Sequence, residues 1–234
     1  KLIIIGIVQG VTELLPVSSS GHILVLGRLF DLPTSSFLLT AFHLGTTLAI
    51  LLFFREKIFK GIFKKERLLF LSKIFVSTIP AALVGVLFEE IIERELRFVW
   101  ITAVSLIVWG IVMIVLEKTK KNSEDIDLEK VSWKQSIVMG ISQSLALIPG
   151  TSRSGITTIT GMVTGLNKYV ALEYSFLLGL PILFGGVGYS ALKEVLNGGY
   201  SVGDMTSEWI LMAVIVTVVP FVVGYVCLNV LSKY

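Results

Sequence analysis

Hydrophobic residues run in long stretches at 38–54, 68–88, 98–116, 171–192 and 209–231. Each has roughly the ~17–25 residues that cross a bilayer as a helix. Between them lie charged loops at 55–67, 89–97, 117–134 and 193–208, with Lys plus Arg counts of 6, 2, 5 and 1. The positive-inside rule puts the first and third loops in the cytoplasm and the other two outside. That alternation agrees with one crossing between successive loops. Two readings of 55–67 stand side by side: a solvated basic loop, or an amphipathic turn resting Ile58, Phe59, Ile62 and Phe63 on anionic lipid.

Segment 135–167 breaks the pattern. Its apolar stretches, 137–148 and 156–166, are each too short to span, and Pro149-Gly150-Thr151-Ser152-Arg153-Ser154-Gly155 separates them. The chain leaves the cytoplasm at 134 and must still cross outward through 171–192. The segment between must therefore return to its starting side, as a re-entrant hairpin. Irregular backbone at membrane depth persists only when buried in protein or lining a watery cavity.

Residues 1–30 repeat this design, with Pro16-Val17-Ser18-Ser19-Ser20-Gly21-His22 between apolar 2–15 and 23–30. Sliding the chain by 134 residues gives 12 identities over the 40 positions from 6 to 45. They include Gln9 with Gln143, Ser18 with Ser152, Ser20 with Ser154, Gly21 with Gly155 and Gly45 with Gly179. Apolar bias alone does not match Gln, Ser and Gly, so this is an internal repeat. Three spans separate the copies, and an odd number inverts the second. The expected fold is all-α: a polytopic membrane protein of two inverted-topology repeats, 1–134 and 135–234, with broken tips meeting near the midplane. The partner of span 98–116 would begin near 232, so the last helix of the second repeat is missing from this sequence.

Composition fits this picture. The 234 residues are 54% hydrophobic and 16% charged, which excludes disorder. Net charge of +3 arises in loops, which speaks against nucleic-acid binding. A single cysteine, Cys227, excludes a disulfide framework and a Cys-based metal site.

A charge at membrane depth costs at least ~2.5–3.5 kcal/mol and is functional by default. Lys73 can snorkel from the start of its helix. Glu13, Arg153 and Glu173 remain deep. Arg153, with Thr151, Ser152, Ser154, Thr157 and Thr158, sits where a helix begins near 156, which makes an anion site suited to phosphate. The bland alternative is an Arg–Glu13 pair that glues the hairpins. The opposing tip offers the hydroxyls of Ser18, Ser19 and Ser20 and the imidazole of His22. Glu13, with Gln9 one turn earlier on the same face, suits general-base work or Mg²⁺/Ca²⁺ coordination. Interhelical packing by small residues accounts for the serines equally well. His43 reads as a structural hydrogen-bonder on a full span, and Glu173 as a structural partner for Lys168.

Gln9-Gly10-Val11-Thr12-Glu13, Leu15-Pro16-Val17-Ser18-Ser19-Ser20-Gly21-His22 and Pro149-Gly150-Thr151-Ser152-Arg153-Ser154-Gly155-Ile156-Thr157 resemble the bacitracin-resistance family of undecaprenyl pyrophosphate phosphatases. Ala171-Leu172-Glu173-Tyr174-Ser175-Phe176 is similar to the family as well. The resemblance implies hydrolysis of a C55 polyprenyl pyrophosphate to the monophosphate carrier of cell-wall synthesis, with a divalent cation, Mg²⁺ or Ca²⁺. It implies a homodimer among membrane lipids, multi-pass in the bacterial plasma (inner) membrane, with its site open to the outer face. Carried over, Glu13 and His22 are catalytic, Ser19 is the nucleophile or a phosphate ligand, and Arg153 binds phosphate. Ser18, Ser20, Thr151, Ser152, Ser154 and Thr157 surround the phosphates, Glu13 is a possible metal ligand, and Gln9 supports it. Being Gln, it supplies no second acid. Type-2 phosphatidic acid phosphatases, which also carry Ser-Gly-His, need a His where Ile159 stands. The competing class is an inverted-repeat transporter or flippase for a polyprenyl phosphate.

Overall fold

A computed structural model describes residues 1–32, 36–119, 126–196 and 207–232. Residues 120–125 of the predicted cytoplasmic loop and 197–206 of the predicted outer loop lie outside these. Among the described residues there are helices and no strands. The chain is an all-α, polytopic membrane protein.

Four helices are long and apolar enough to cross a membrane: α5 (Lys65–Leu87), α7 (Val99–Thr119), α10 (Lys168–Leu196) and α11 (Ser207–Leu231). A fifth, α3 (Ser36–Phe53), has 18 residues, about 27 Å at 1.5 Å per residue. The hairpin arms are shorter. α1 (Leu2–Thr12) and α2 (Ser19–Leu29) have 11 residues each. α8 (Trp133–Ser142) has 10, continues as a 3₁₀ turn Gln143–Leu147, and is followed by the 11-residue α9 (Arg153–Val163). At about 15–17 Å none of these α-helices reaches across a ~30 Å hydrocarbon core. α1 packs on α2, and α8 on α9.

Positions 134 apart share local hydrogen bonding at both ends of α2 and α9. Ser18 caps α2 by accepting from the Gly21 N–H, and Ser152 caps α9 by accepting from the Gly155 N–H. At the other ends the Leu32 N–H bonds to Gly27 O and the Leu166 N–H to Gly161 O, both 2.9–3.0 Å. These six-to-one bonds enclose residues of positive φ, Asp31 at 52° and Gly165 at 104°. Packing repeats by exchange: α1 of the first copy lies on α11 of the second, and α8 of the second lies on α5 of the first. α3 and α10, which correspond, pack on each other.

Glycines set how closely these helices approach. A Cβ at Gly45 would meet the Thr217 carbonyl of α11, and one at Gly140 the Ser77 carbonyl of α5. Beside Gly140, Ser136 Oγ lies 2.6 Å from Ser77 Oγ and 2.5 Å from Tyr174 Oη, so the buried hydroxyls are mutually satisfied. Below this the main apolar core joins Phe54, Ile58, Phe70, Met139, Tyr174 and Phe176. By contrast α7 exposes Val104, Ile107, Ile111 and Ile114. A helix that is apolar on its exposed face belongs in lipid.

Segment 55–67 divides between its two readings. Arg55–Phe59 forms a short helix, α4. Ile58 enters the core, while Phe59 and Phe63 stay exposed beside Lys60 and Lys64. One expectation needs correction. Lys73 does not snorkel outward; its Nζ donates to Val131 O at 2.7 Å, closing the carbonyls that precede α8. Glu173 pairs with Lys57 at 2.6 Å. Burial of the carbonyls at a helix approach, and the return of α4 over α10, decide these partners. Neither shows in local spacing.

Candidate active site

The hairpin tips meet. Ser154 Oγ is placed to donate to the Leu15 carbonyl at 3.4 Å and to the Glu13 carbonyl at 3.5 Å. They enclose a cavity of about 170 Å³, lined by Glu13, Ser18, Ser19 and Ser20 from one tip and Thr151, Ser152, Arg153 and Ser154 from the other. His43 of α3 and Gln143 of the 3₁₀ turn complete its polar wall. Eight of the sequence-predicted residues thus share one cavity.

Glu13 is the hub. It follows α1 directly, is 5% exposed, and both its oxygens are engaged. Oε1 accepts from Arg153 Nη2 at 2.6 Å. Oε2 accepts from Ser19 Oγ at 2.6 Å and Gln9 Nε2 at 3.1 Å, and lies 2.9 Å from His43 Nδ1. A serine hydroxyl donating to a buried carboxylate is a pairing that nucleophilic catalysis uses. Arg153 is the first residue of α9, a helix start where negative charge is favoured. It crosses at Gly179, whose Cβ would collide with the guanidinium, and Nη1 donates to Ser175 O at 3.2 Å. Its Nε, buried, has no protein partner.

The Arg153–Glu13 pair that sequence reading offered as mere glue is therefore present, and it sits inside the cavity rather than apart from it. Breaking such a buried pair costs ~3–5 kcal/mol because it strands a charge. A pair left facing a cavity can instead exchange partners with an anion.

Not every predicted residue lines the cavity. Thr157 turns toward α10 and lies 2.6 Å from Ser175 Oγ. His22 lies one turn into α2, and its Nδ1 donates to Ser18 O at 2.8 Å. That bond fixes the tautomer and leaves Nε2 as the basic nitrogen. His43, read as a structural hydrogen-bonder, makes that contact at the Glu13 carboxylate, inside the cavity. Nothing in the local spacing marks its imidazole: the Thr46 and Thr47 hydroxyls bond to His43 only at its backbone carbonyl. Gly179 and Gln143 were visible as repeat matches, but their contacts depend on helices that come from elsewhere in the chain.

A divalent cation finds one carboxylate here. Among the described residues no three His, Cys, Asp or Glu side chains cluster, and the Glu13 oxygens already face cationic and O–H donors. The donor set fits a cation that takes most of its ligands from water and phosphate, as Mg²⁺ does, and not one caged by protein.

Short paired helices, a buried carboxylate–serine–arginine cluster and an apolar exterior define a polytopic membrane protein with a polar internal site. The family model described as bacitracin resistance protein BacA matches residues 2–234, and the chain belongs to that family. It is 40% identical to the undecaprenyl-diphosphatase of Corynebacterium glutamicum, aligned over all of this chain and 82% of that protein. It is 39% identical to undecaprenyl-diphosphatase 1 of Clostridioides difficile, over all of this chain and 86% of that protein. To the undecaprenyl-diphosphatase of Thermosipho melanesiensis it is 37% identical, over 99% and 88%.

Proposed function

We propose that this chain hydrolyses undecaprenyl diphosphate to undecaprenyl phosphate and inorganic phosphate, and so recycles the lipid carrier of cell-wall synthesis. The observation that carries the mechanism is Glu13, one carboxylate joined to a serine of its own hairpin and an arginine of the other. Arg153 and the α9 amides hold the diphosphate and stabilise charge on the phosphoryl oxygens in the transition state. Glu13 takes the Ser19 proton as Oγ attacks the terminal phosphorus. The bond to the bridging oxygen breaks, and lipid monophosphate leaves. Water then hydrolyses phosphoserine: His22 Nε2 accepts the water's proton, Glu13 returns its own proton to the Ser19 oxygen as the P–O bond breaks, and inorganic phosphate departs.

The polyprenyl tail lies in a groove of about 470 Å³ between α5 and α10, which shares Ala81, Leu147 and Ile182 with the cavity. Glu13 would be the protein carboxylate for a divalent cation, which would supply charge neutralisation when bound. The two copies are oriented oppositely in the plasma membrane, the protein is a homodimer, and the site opens to the outer face. The repeated caps and the loop charges support the first and last of these; the homodimer rests on family resemblance.

Phosphate release from a polyprenyl diphosphate by purified protein in detergent tests the reading, because transport needs a sealed membrane and hydrolysis does not. Release that stops with chelator and returns with Mg²⁺ supports the cation as well. Substrate binding without release would favour a carrier.

A further inference from the structure

Gln143 is a buried polar side chain whose hydrogen bonds are unaccounted for. It is 2% exposed and lines the cavity, yet neither Oε1 nor Nε2 has a protein partner. Thr151 Oγ1, from the tip of the same hairpin, is in the same condition. Buried polar groups are paired in more than about nine cases in ten, and leaving one unpaired costs roughly 1–3 kcal/mol. The repeat sharpens the anomaly. Gln9, 134 positions earlier, leaves its Oε1 unpaired too but has Nε2 within reach of Glu13, His43 and Thr46, so the two differ at the amide nitrogen.

Position says what the pair is for. Gln143, Ala146 and Leu147 sit on one 3₁₀ turn and all line the cavity. Leu147 continues into the apolar groove, whose Gly185 and Gly186 leave open space where a Cβ would stand. The reactive end of the cavity is Ser19. A lipid diphosphate with its terminal phosphorus at Ser19 and its tail in the groove must place its other phosphate between them. That is where Gln143 offers two N–H donors and Thr151 an O–H.

We infer that Gln143 and Thr151 form the subsite for the lipid-linked phosphate, the group that leaves as lipid monophosphate, distinct from the Ser19–Arg153 end that holds the phosphate being transferred. The inference rests on the proposed phosphatase reading. It makes Gln143 a determinant of diphosphate recognition and of product affinity.

Product inhibition separates the two subsites. Farnesyl monophosphate reports on the lipid-linked phosphate, and inorganic phosphate on the transferred one. Phosphate release from farnesyl diphosphate is measured for wild type, Gln143→Leu and Thr151→Val, with inhibition constants for both products and unfolding temperatures in detergent. Losing donors to a charged oxygen should raise the inhibition constant for farnesyl monophosphate about 10- to 100-fold in Gln143→Leu. Inorganic phosphate should inhibit as before, and the unfolding temperature should hold or rise, since Leu removes unpaired polar atoms. Calorimetric titration of the same two ligands gives the same comparison if turnover is too low. Equal changes for both products, or none, overturn the assignment, as does a drop in unfolding temperature in both variants with unchanged ligand affinities. Absence of phosphate release by wild type would instead overturn the phosphatase reading.

Discussion

The two hairpin tips share a backbone and divide the chemistry. Each opens a helix of 11 residues with a serine cap, and each helix ends in the same six-to-one turn. Side chains then diverge at equivalent positions. Ser19 faces Arg153, Glu13 corresponds to Leu147, and His22 to Ile156. The first tip carries the carboxylate, hydroxyl and imidazole, and the second carries the guanidinium. The first is also strained: Ser18 has φ 63°, whereas Ser152 has φ −70°. Strain of that kind costs roughly 1–3 kcal/mol and gathers where function requires it. Two helix starts with like caps are thus brought together, and the proposed function makes the first the attacking side and the second the anion-holding side.

If this division is right, the largest loss follows from Ser19→Ala. Removing a nucleophile should lower turnover by roughly 10³-fold or more. Rapid quench with substrate labelled in the terminal phosphate should trap label on Ser19 in wild type and none in the variant. Substantial turnover by Ser19→Ala would transfer the attack to a water activated by Glu13 or His22.

Arg153→Lys tests the other tip and should cost about 10²-fold, by analogy with a lost oxyanion donor. Lys keeps the charge beside Glu13 and loses the planar fork that grips two oxygens at once. The protein should stay folded by thermal unfolding in detergent. Near-normal release would show that a point charge suffices and that the anion-holding role lies elsewhere in the tip.

His43→Gln asks whether a residue outside both tips serves the first. Its Nδ1 stands 2.9 Å from the Glu13 carboxylate and belongs to the α3 span. Loss of that hydrogen bond to a charged group should lower kcat about 10-fold. KM should be unchanged, because His43 positions Glu13 and the Gln143–Thr151 wall is separate. A rise in KM with kcat intact would place His43 against substrate.

How far the sequence discloses this comparison depends on the kind of contact. Hydropathy runs and loop charge reveal the spans because burial in lipid constrains every residue of a run. The repeat reveals the tips because Gln9, Ser18, Ser20 and Gly21 recur in register. The Glu13–Arg153 contact joins residues 140 apart, and the repeat anticipates it by bringing the tips together. His43 and Gly179 are less legible. Each is an ordinary residue on an ordinary span, and its role comes from the side chain that another element delivers. Lys57 with Glu173 fails for the same reason, since nothing within either segment names its partner.

The smallest expected effect tests the shared backbone itself. Asp31 and Gly165 occupy the same place at the ends of α2 and α9, with φ of 52° and 104°. The first lies in the left-handed region that Asp tolerates; the second lies beyond it. A Cβ on Gly165 would have nothing within 4 Å. Substitution there consequently carries no steric clash with neighbours, only the cost of the backbone angle. Gly165→Ala should destabilise by roughly 1 kcal/mol. Asp31→Gly relieves a mild angle and adds freedom to the unfolded chain, so its net effect should stay within about 0.5 kcal/mol. Thermal unfolding of both variants in detergent reads the difference, and turnover should follow stability in each, because neither residue touches the cavity. Equal and negligible effects would mean that the second turn relaxes to the angle of the first, and that the two ends are alike in conformation as well as in hydrogen bonding. A loss of activity in Gly165→Ala without loss of stability would mean that this turn, unlike its counterpart, sets the placement of Arg153.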